Sequence, residues 1–313
     1  MVSELEARVK EDFKRARMRE FIQRIKNVGK KERNELLSLE YVRNMLKPEN
    51  ETYIGLQEIP VSKIIGSEGR FQDFNKQFLP KYNFLEDRWK SVDKAYHSDI
   101  ILPPISVYKI GDYFFIRDGN HRISVAAAQG MYYVDAEVVE LNTKIPLTEE
   151  MTSKDLKTQV IKYEKQLFYS EFDITKIIDP FFLNFTSVGC YEKIVIHIIE
   201  HRFYMDEFSE VDSSLEVAIT SWYENLFLPI IEAVQENNLL ENFPDRTYGD
   251  FYLWAIKHWD TLKKENEDSE IDIKDAALDY SEKFAEVDGV ESSVAAKKPM
   301  KKIYEKLIGK ILK

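Results

Sequence analysis

The chain has 313 residues, 44% hydrophobic and 32% charged, with 55 acidic against 44 basic side chains and a formal net charge of −11. That length suits two folded units, that composition an ordinary soluble protein, and that charge argues against a surface given over wholly to nucleic acid. The single cysteine, Cys190, excludes an internal disulfide framework and an all-cysteine metal site.

From the N-terminus, residues 1–50 read as a helical arm. Leu5, Val9, Phe13, Met18, Phe21, Ile22 and Ile25 recur at the spacing of one helix face. Lys14, Arg15, Arg17, Arg19, Arg24 and Lys26 crowd the other face. A basic face suits nucleic acid or an acidic membrane, but Glu4, Glu6, Glu11, Asp12 and Glu20 interleave with it, which favours a solvated helix packed on the next domain. A second helix through Leu36, Leu37, Tyr41, Val42 and Met45 is expected to stop before Pro48.

Residues 51–147 carry strand signals. Glu58-Ile59-Pro60-Val61-Ser62-Lys63-Ile64-Ile65 leads into the polar loop Gly66-Ser67-Glu68-Gly69-Arg70. Phe71 to His97 looks helical, with Phe74, Phe78, Leu85, Trp89 and Val92 spaced to pack on a sheet and Arg70, Asp73, Lys81 and Arg88 near the loop in sequence. Pro103 to Lys109 is a Pro-initiated strand, Ile110-Gly111-Asp112 a hairpin turn, and Tyr113-Phe114-Phe115-Ile116 a second strand. It runs into Arg117-Asp118-Gly119-Asn120-His121-Arg122. Ile123 to Gln129 then favours helix, with Gly130 as its C-cap. Tyr132 to Leu141 alternates as a further strand around Val134, Ala136 and Val138.

The turn before that helix concentrates chemistry. Helix N-termini offer free N–H groups and partial positive charge to anions. Gly119 lets a ligand approach the backbone, Arg122 offers a fork for phosphate, Asp118 suits a metal ion bridging phosphate oxygens, and Asn120 suits a side-chain cap. The same residues also suit a plain capped helix with one surface ion pair.

The order of these pieces resembles the ParB N-terminal/sulfiredoxin superfamily over roughly residues 56–140: an I-P-V opening, a polar loop ending in Arg, a helical excursion, a hairpin and a D-G-x-H-R turn. The resemblance implies an α+β protein, with a small mixed-sheet domain between an N-terminal helical arm and an all-α C-terminal domain. It also implies a nucleotide site for ATP, ADP or CTP with Mg²⁺. Arg70, Gly119, Asn120, His121, Arg122 and Ser124 would hold phosphate there, and Asp118 the metal. Sulfiredoxins carry a cysteine just before the His-Arg pair; Asn120 in that place argues against their chemistry. A free-serine kinase branch has a DGHHR-like turn and an acidic base in the loop after its first strand. Glu68 lies in the equivalent loop, so Glu68, Asp118 and His121 become the catalytic candidates, although Asn120 replaces the first His.

From Thr148 the pattern turns helical. Apolar periodicity fills 153–168, 190–205, 214–238, 247–264 and 273–286. Tyr191 with His201 recurs as Tyr248 with His258, each followed by an acidic linker and a second helix, so residues 148–286 read as two related helical hairpins that bury their faces by stacking. With the first domain, this resembles uncharacterised bacterial ParB-like proteins, which implies architecture and no activity. His197 and His201 stand four apart beside Glu200, but no third ligand follows at a motif spacing, so packing or hydrogen bonding is favoured over metal. Cys190, before an apolar run, reads as a partly buried structural thiol rather than a nucleophile. Residues 287–313 read as a linker and a basic amphipathic tail helix. That helix suits docking on the protein's own acidic body or on a partner protein, both favoured over an anionic membrane surface.

The expected function is therefore a nucleotide-binding protein, foremost a phosphotransferase or NTP hydrolase acting on a small hydroxyl-bearing molecule or water. A ParB-type nucleotide-sensing, DNA-associated regulator and a non-catalytic nucleotide-binding scaffold stand as alternatives. Tight sequence-specific DNA binding is not expected. With no run approaching the roughly 20 apolar residues of a membrane span and no signal-peptide pattern, the expected location is the cytoplasm.

Overall fold

The computed structural model describes residues 2–29, 31–98, 100–207, 212–265 and 271–285. It divides into two compact units, Met1–Val160 and Ile161–Lys313. In the first, the order is α1 (Val2–Lys26), β1 (Leu37–Ser38), α2 (Leu39–Leu46), β2 (Glu51–Pro60), β3 (Ile64–Ser67), α3 (Glu86–His97), β4 (Ile105–Ile110), β5 (Tyr113–Asp118), α4 (Asn120–Ala128), β6 (Tyr133–Leu141) and the start of α5 (Ser153–Glu171). This is the mixed α+β class that the strand and helix signals imply.

One six-stranded sheet runs β1-β3-β5-β4-β6-β2. Strands β1, β3 and β5 are parallel, with Ser38 level with Ser67 and Ser67 level with Ile116. The β4–β5 hairpin is antiparallel and turns between Ile110 and Tyr113. Strand β6 runs parallel to β4 and antiparallel to the edge strand β2. Ile59, Ile64, Ile105, Val107, Ile116, Ala136 and Val138 alternate into the core with Phe74, Phe78, Leu85 and Ile123.

Three details depart from the sequence reading. Leu36 and Leu37 are not helical: Leu37 opens β1, and α2 starts only at Leu39, capped by Ser38 Oγ accepting from Tyr41 N at 3.4 Å. A two-residue strand has too few positions to show alternation, and its neighbour β3 lies far away in sequence. Residues 71–82 are also not helical. The buried Asn75 side chain accepts from Gln77 N at 3.0 Å and Leu79 N at 2.9 Å, and Phe78 takes a positive φ of 56°, which coils the segment into a loop. The aromatic spacing that mimics a helix there instead buries Phe74 and Phe78 one by one. Lastly, the apolar positions of α1 belong to two faces. Val9, Phe13 and Ala16 are buried, while Met18, Phe21, Ile22 and Ile25 are exposed. Met18 lies about 200° around the helix from Ala16, since each residue turns about 100°.

Helix α1 packs on α3, and α3 on α4. Phe13 meets Trp89 edge-on at 5.5 Å, and Trp89 Nε1 donates to Ser124 Oγ at 2.9 Å. Much of the basic face of α1 is engaged within the unit: Arg17 donates to Pro80 O at 3.0 Å and Asn83 Oδ1 at 3.2 Å, and Arg19 to Ala128 O at 3.2 Å.

The second unit is helical among its described residues: the rest of α5, α6 (Cys190–Glu207), α7 (Leu215–Trp222), a π turn at Tyr223–Phe227, α8 (Leu228–Glu236), α9 (Tyr248–Glu265) and α10 (Ile273–Phe284). Helix α6 pairs with α7, and α9 with α10. A histidine links the two helices of each pair. His201 on α6 bonds Ser221 Oγ on α7 at 2.9 Å, and His258 on α9 bonds Asp279 on α10 at 2.6 Å. His197 is tied to the buried Tyr252 hydroxyl at 3.1 Å. Cys190 is buried. No helix among the described residues is long and apolar enough to cross a membrane. Residues 287–313, expected to form a linker and a basic amphipathic helix, lie outside the described residues.

Candidate functional site

The C-terminal ends of β1, β3 and β5 share one edge of the sheet, and the helix that follows β5 starts there. Strand β5 ends at Asp118, Gly119 turns the chain with φ 112°, and α4 begins at Asn120. Helix α4 has no side-chain cap, because its N-cap residue is a glycine. Its first intrahelical donor is the Ile123 N–H, on Gly119 O at 3.0 Å. The N–H groups of Asn120, His121 and Arg122 precede that bond and end the helix dipole.

The expected cap does not form. Asn120 stands inside the helix, buried, and its Oδ1 lies 2.8 Å from Ser67 Oγ, which also reaches Ile116 O at 3.3 Å. This bond ties the end of β3 to the start of α4. Glu68 is the next residue. Its N–H continues the β3–β5 pairing onto Ile116 O at 2.8 Å, while its side chain is exposed and, among the described residues, held by no hydrogen bond or ion pair. The loop carrying Glu68 and the turn carrying Asp118 are thus neighbours.

Arg122 is occupied by the protein itself. Its Nη1 donates to Pro103 O at 2.5 Å and Pro104 O at 2.7 Å, and its Nη2 to Asp118 Oδ2. The fork expected to grip phosphate therefore clamps the Pro-Pro approach to β4 against the turn. Asp118 is 77% exposed and keeps its second oxygen towards solvent. Ser124 is fully buried under Trp89 and is not brought to the open face of the turn.

His121 is the most informative side chain. Its ring packs edge-on against Phe74 at 5.5 Å, and its Nδ1 is buried without a hydrogen-bond partner. A bare lone pair is cheaper there than an orphaned N–H, so the neutral ring carries its proton on Nε2. Burial first, then the charges of Arg70 and Arg88, push the His121 pKa down to about 4. The ring is therefore neutral at pH 7. Arg70 is paired with Asp73 at 3.0 Å. Among the described residues Arg88, exposed on α3, has no ion pair. With Asp118–Arg122 and Asp73–Arg70 paired off, the edge keeps the charges of Arg88 and Glu68, which cancel, and the partial positive charge of the helix end. The backbone N–H groups of the helix end and the Arg88 guanidinium donate hydrogen bonds, while Asp118, Glu68 and Asp73 are acceptors. That donor set fits a phosphate, and the Asp118 carboxylate fits a magnesium ion beside it. Sequence proximity alone had put Arg88 and Asp73 near the loop; the fold of 71–97 brings them to His121.

Fold and site together define an α+β protein with an uncapped helix end at the edge of a mixed sheet, joined in sequence to a helical unit. No family model and no curated protein matches the chain. Among solved structures it is similar to the C2221 form of a Pnob8-like ParB-N domain, at 12% identity over 75% of this chain and 99% of that one, with a TM-score of 0.22. It is also similar to a pNOB8-like ParB N-domain, at 12% identity over 71% and 81% of the two chains, with a TM-score of 0.21. Likeness at that level carries no argument about function.

Proposed function

We propose that the edge formed by the β3 loop and the start of α4 binds the phosphates of a nucleotide. The observation that carries this reading is the uncapped α4 N-terminus beside a neutral, half-buried His121 that faces Arg70 and Arg88. The N–H groups of Asn120, His121 and Arg122, the His121 Nε2–H and the Arg88 guanidinium would hold the phosphate oxygens. Arg122 acts as a brace that sets the turn. The formal charges of Arg70, Arg88 and Arg122 are matched by those of Glu68, Asp73 and Asp118, so a di- or triphosphate needs a counter-ion, and Asp118 would hold Mg²⁺. The ion would neutralise phosphate charge when bound.

Turnover would rest on Glu68. Its loop continues from β3 beside the turn, and its carboxylate is exposed and, among the described residues, unpaired, which leaves it open to hydrogen-bond a hydroxyl acceptor or water. Phosphoryl transfer asks mainly for positioning and charge neutralisation, which this edge offers.

Thermal shift with ATP, ADP, CTP and GTP, each with Mg²⁺, is the test, since a ligand bound by the folded state raises its apparent stability. One nucleotide should raise the melting temperature, and Arg88→Ala should remove most of that shift with the apo value unchanged. No shift with any nucleotide, or an unchanged shift in Arg88→Ala, contradicts the proposal. Glu68→Gln should keep the shift and lose turnover; loss of both would make Glu68 a binding group.

A further inference from the structure

Away from the phosphate edge, where α1, α3 and the end of α4 meet, Asp12, Asp93 and His97 turn ligand atoms towards one point. Those three atoms all lie within 4.8 Å of one another. Asp93 and His97 are four apart on α3, so they share one face, and Asp12 comes from α1. We propose that this cluster is a binding site for one divalent transition-metal ion of the zinc type, pinning α1 to α3.

The side chains are arranged as ligands are. Each carboxylate has one oxygen held by protein: Asp12 Oδ1 by Arg15 at 2.8 Å, and Asp93 Oδ1 by Gln129 Nε2 at 2.8 Å. The other oxygen of each faces His97 Nε2, Asp12 Oδ2 at 3.1 Å and Asp93 Oδ2 at 3.7 Å. Ligand bonds of about 2.0–2.1 Å in a tetrahedral zinc site set donors about 3.3 Å apart, which these two separations bracket. Gln129 Nε2 also approaches Asp12 Oδ2 at 3.4 Å, so one amide orients both carboxylates.

A hydrogen-bonded cluster without metal leaves a defect. The single hydrogen on His97 Nε2 goes to Asp12, and Asp93 Oδ2 is then buried with no partner, its side chain at 0% exposure. Native proteins rarely leave such an atom unsatisfied. A dication ligated by all three atoms satisfies Asp93 Oδ2 and neutralises the two carboxylates together. With the His97 side chain 7% and the Asp12 side chain 13% exposed, the site is shielded from solvent, and its three protein ligands leave the fourth position to a water molecule.

The full chain, stripped with a chelator and dialysed, would be titrated with ZnCl₂ and with MnCl₂. Metal content would be measured by mass spectrometry and stability by thermal shift. We expect one equivalent of zinc retained per chain. At a hundredfold excess over the dissociation constant, the melting temperature should rise by about 5–10 °C. Asp93→Asn and His97→Gln should each lose the retained zinc and the shift. Apo Asp93→Asn should melt no lower than the parent, because it removes a buried charge and keeps the shape. No retained zinc in the parent, or zinc retained equally in both variants, overturns the site. A fall in the melting temperature of apo Asp93→Asn with no zinc effect in the parent shows a purely hydrogen-bonded role, and also overturns it.

Discussion

Gly119→Ala tests the turn on which the phosphate edge depends. Gly119 has φ 112° and ψ 18°, a conformation that costs an L-residue about 1–2 kcal/mol. A Cβ there would also stand 2.5 Å from Ile105 Cγ2, 2.9 Å from Ile105 Cβ and 3.2 Å from Arg122 Nε. Ile105 is buried at the start of β4 and cannot step aside, so overpacking adds about 1–3 kcal/mol. The sum is about 2–5 kcal/mol, a large part of a typical domain's stability. Gly111→Ala is the control: it also has a positive φ, 58°, but nothing lies within 4 Å of its Cβ position, so only the backbone cost of about 1–2 kcal/mol applies. Native-state hydrogen exchange at the β4 and β5 amides measures both variants in the same unit. Gly119→Ala should lose about 1–3 kcal/mol more protection than Gly111→Ala. Equal losses would refute the close packing of the turn on Ile105.

Arg122→Ala should destabilise the first unit by about 2–3 kcal/mol, since it breaks charge-assisted bonds to two carbonyls and a carboxylate; urea unfolding checks this, and an unchanged midpoint would show that Arg122 is free to serve a ligand instead. His121 has a folded pKa of about 4 against an ordinary value near 6.5, so between those values the unfolded chain binds more protons. Its contribution to stability is therefore intact above about pH 6.5 and falls as the pH drops towards 4. His121→Gln should flatten that fall in thermal melts across the range, and an identical pH profile would contradict the neutral buried ring. In the second unit, Asp250 is buried and accepts from Thr186 N at 3.0 Å and Thr247 N at 3.1 Å. Asp250→Ala should cost about 2–4 kcal/mol by orphaning those groups, measured by urea unfolding, and a cost under about 1 kcal/mol would show that water replaces the carboxylate.

The β4–β5 hairpin and α4 were legible because each signal is local. The Pro-led run, Gly111 and the change from strand to helix periodicity at Gly119 all act within a few residues of where they are read. The helices of the second unit were legible for the same reason, through the apolar periodicity within each. What stayed hidden depends on partners distant in sequence. Strand β1 exists only because β3 lies beside it. The 71–82 loop is organised by one buried amide, Asn75, which composition cannot distinguish from a surface Asn. Arg122 read as a free fork because its partners, Pro103 O and Pro104 O, are backbone atoms some twenty residues back. The Asp12–Asp93–His97 cluster is split between two helices, and only the i, i+4 pair on α3 carried any signal. The coming together of Arg70, Asp73 and Arg88 around His121 likewise required the folded loop.

The most direct test of phosphate binding is an NMR titration of the full chain at pH 7 with each nucleotide and Mg²⁺. The amide signals of Asn120, His121 and Arg122 are followed together with the His121 ring. Binding at the α4 N-terminus should shift those three amides first, and the added negative charge should raise the His121 pKa from about 4. Arg88→Ala should weaken both effects. Amides that stay in place at saturating nucleotide, or shifts confined to other parts of the chain with the His121 pKa unmoved, would contradict phosphate binding at this edge.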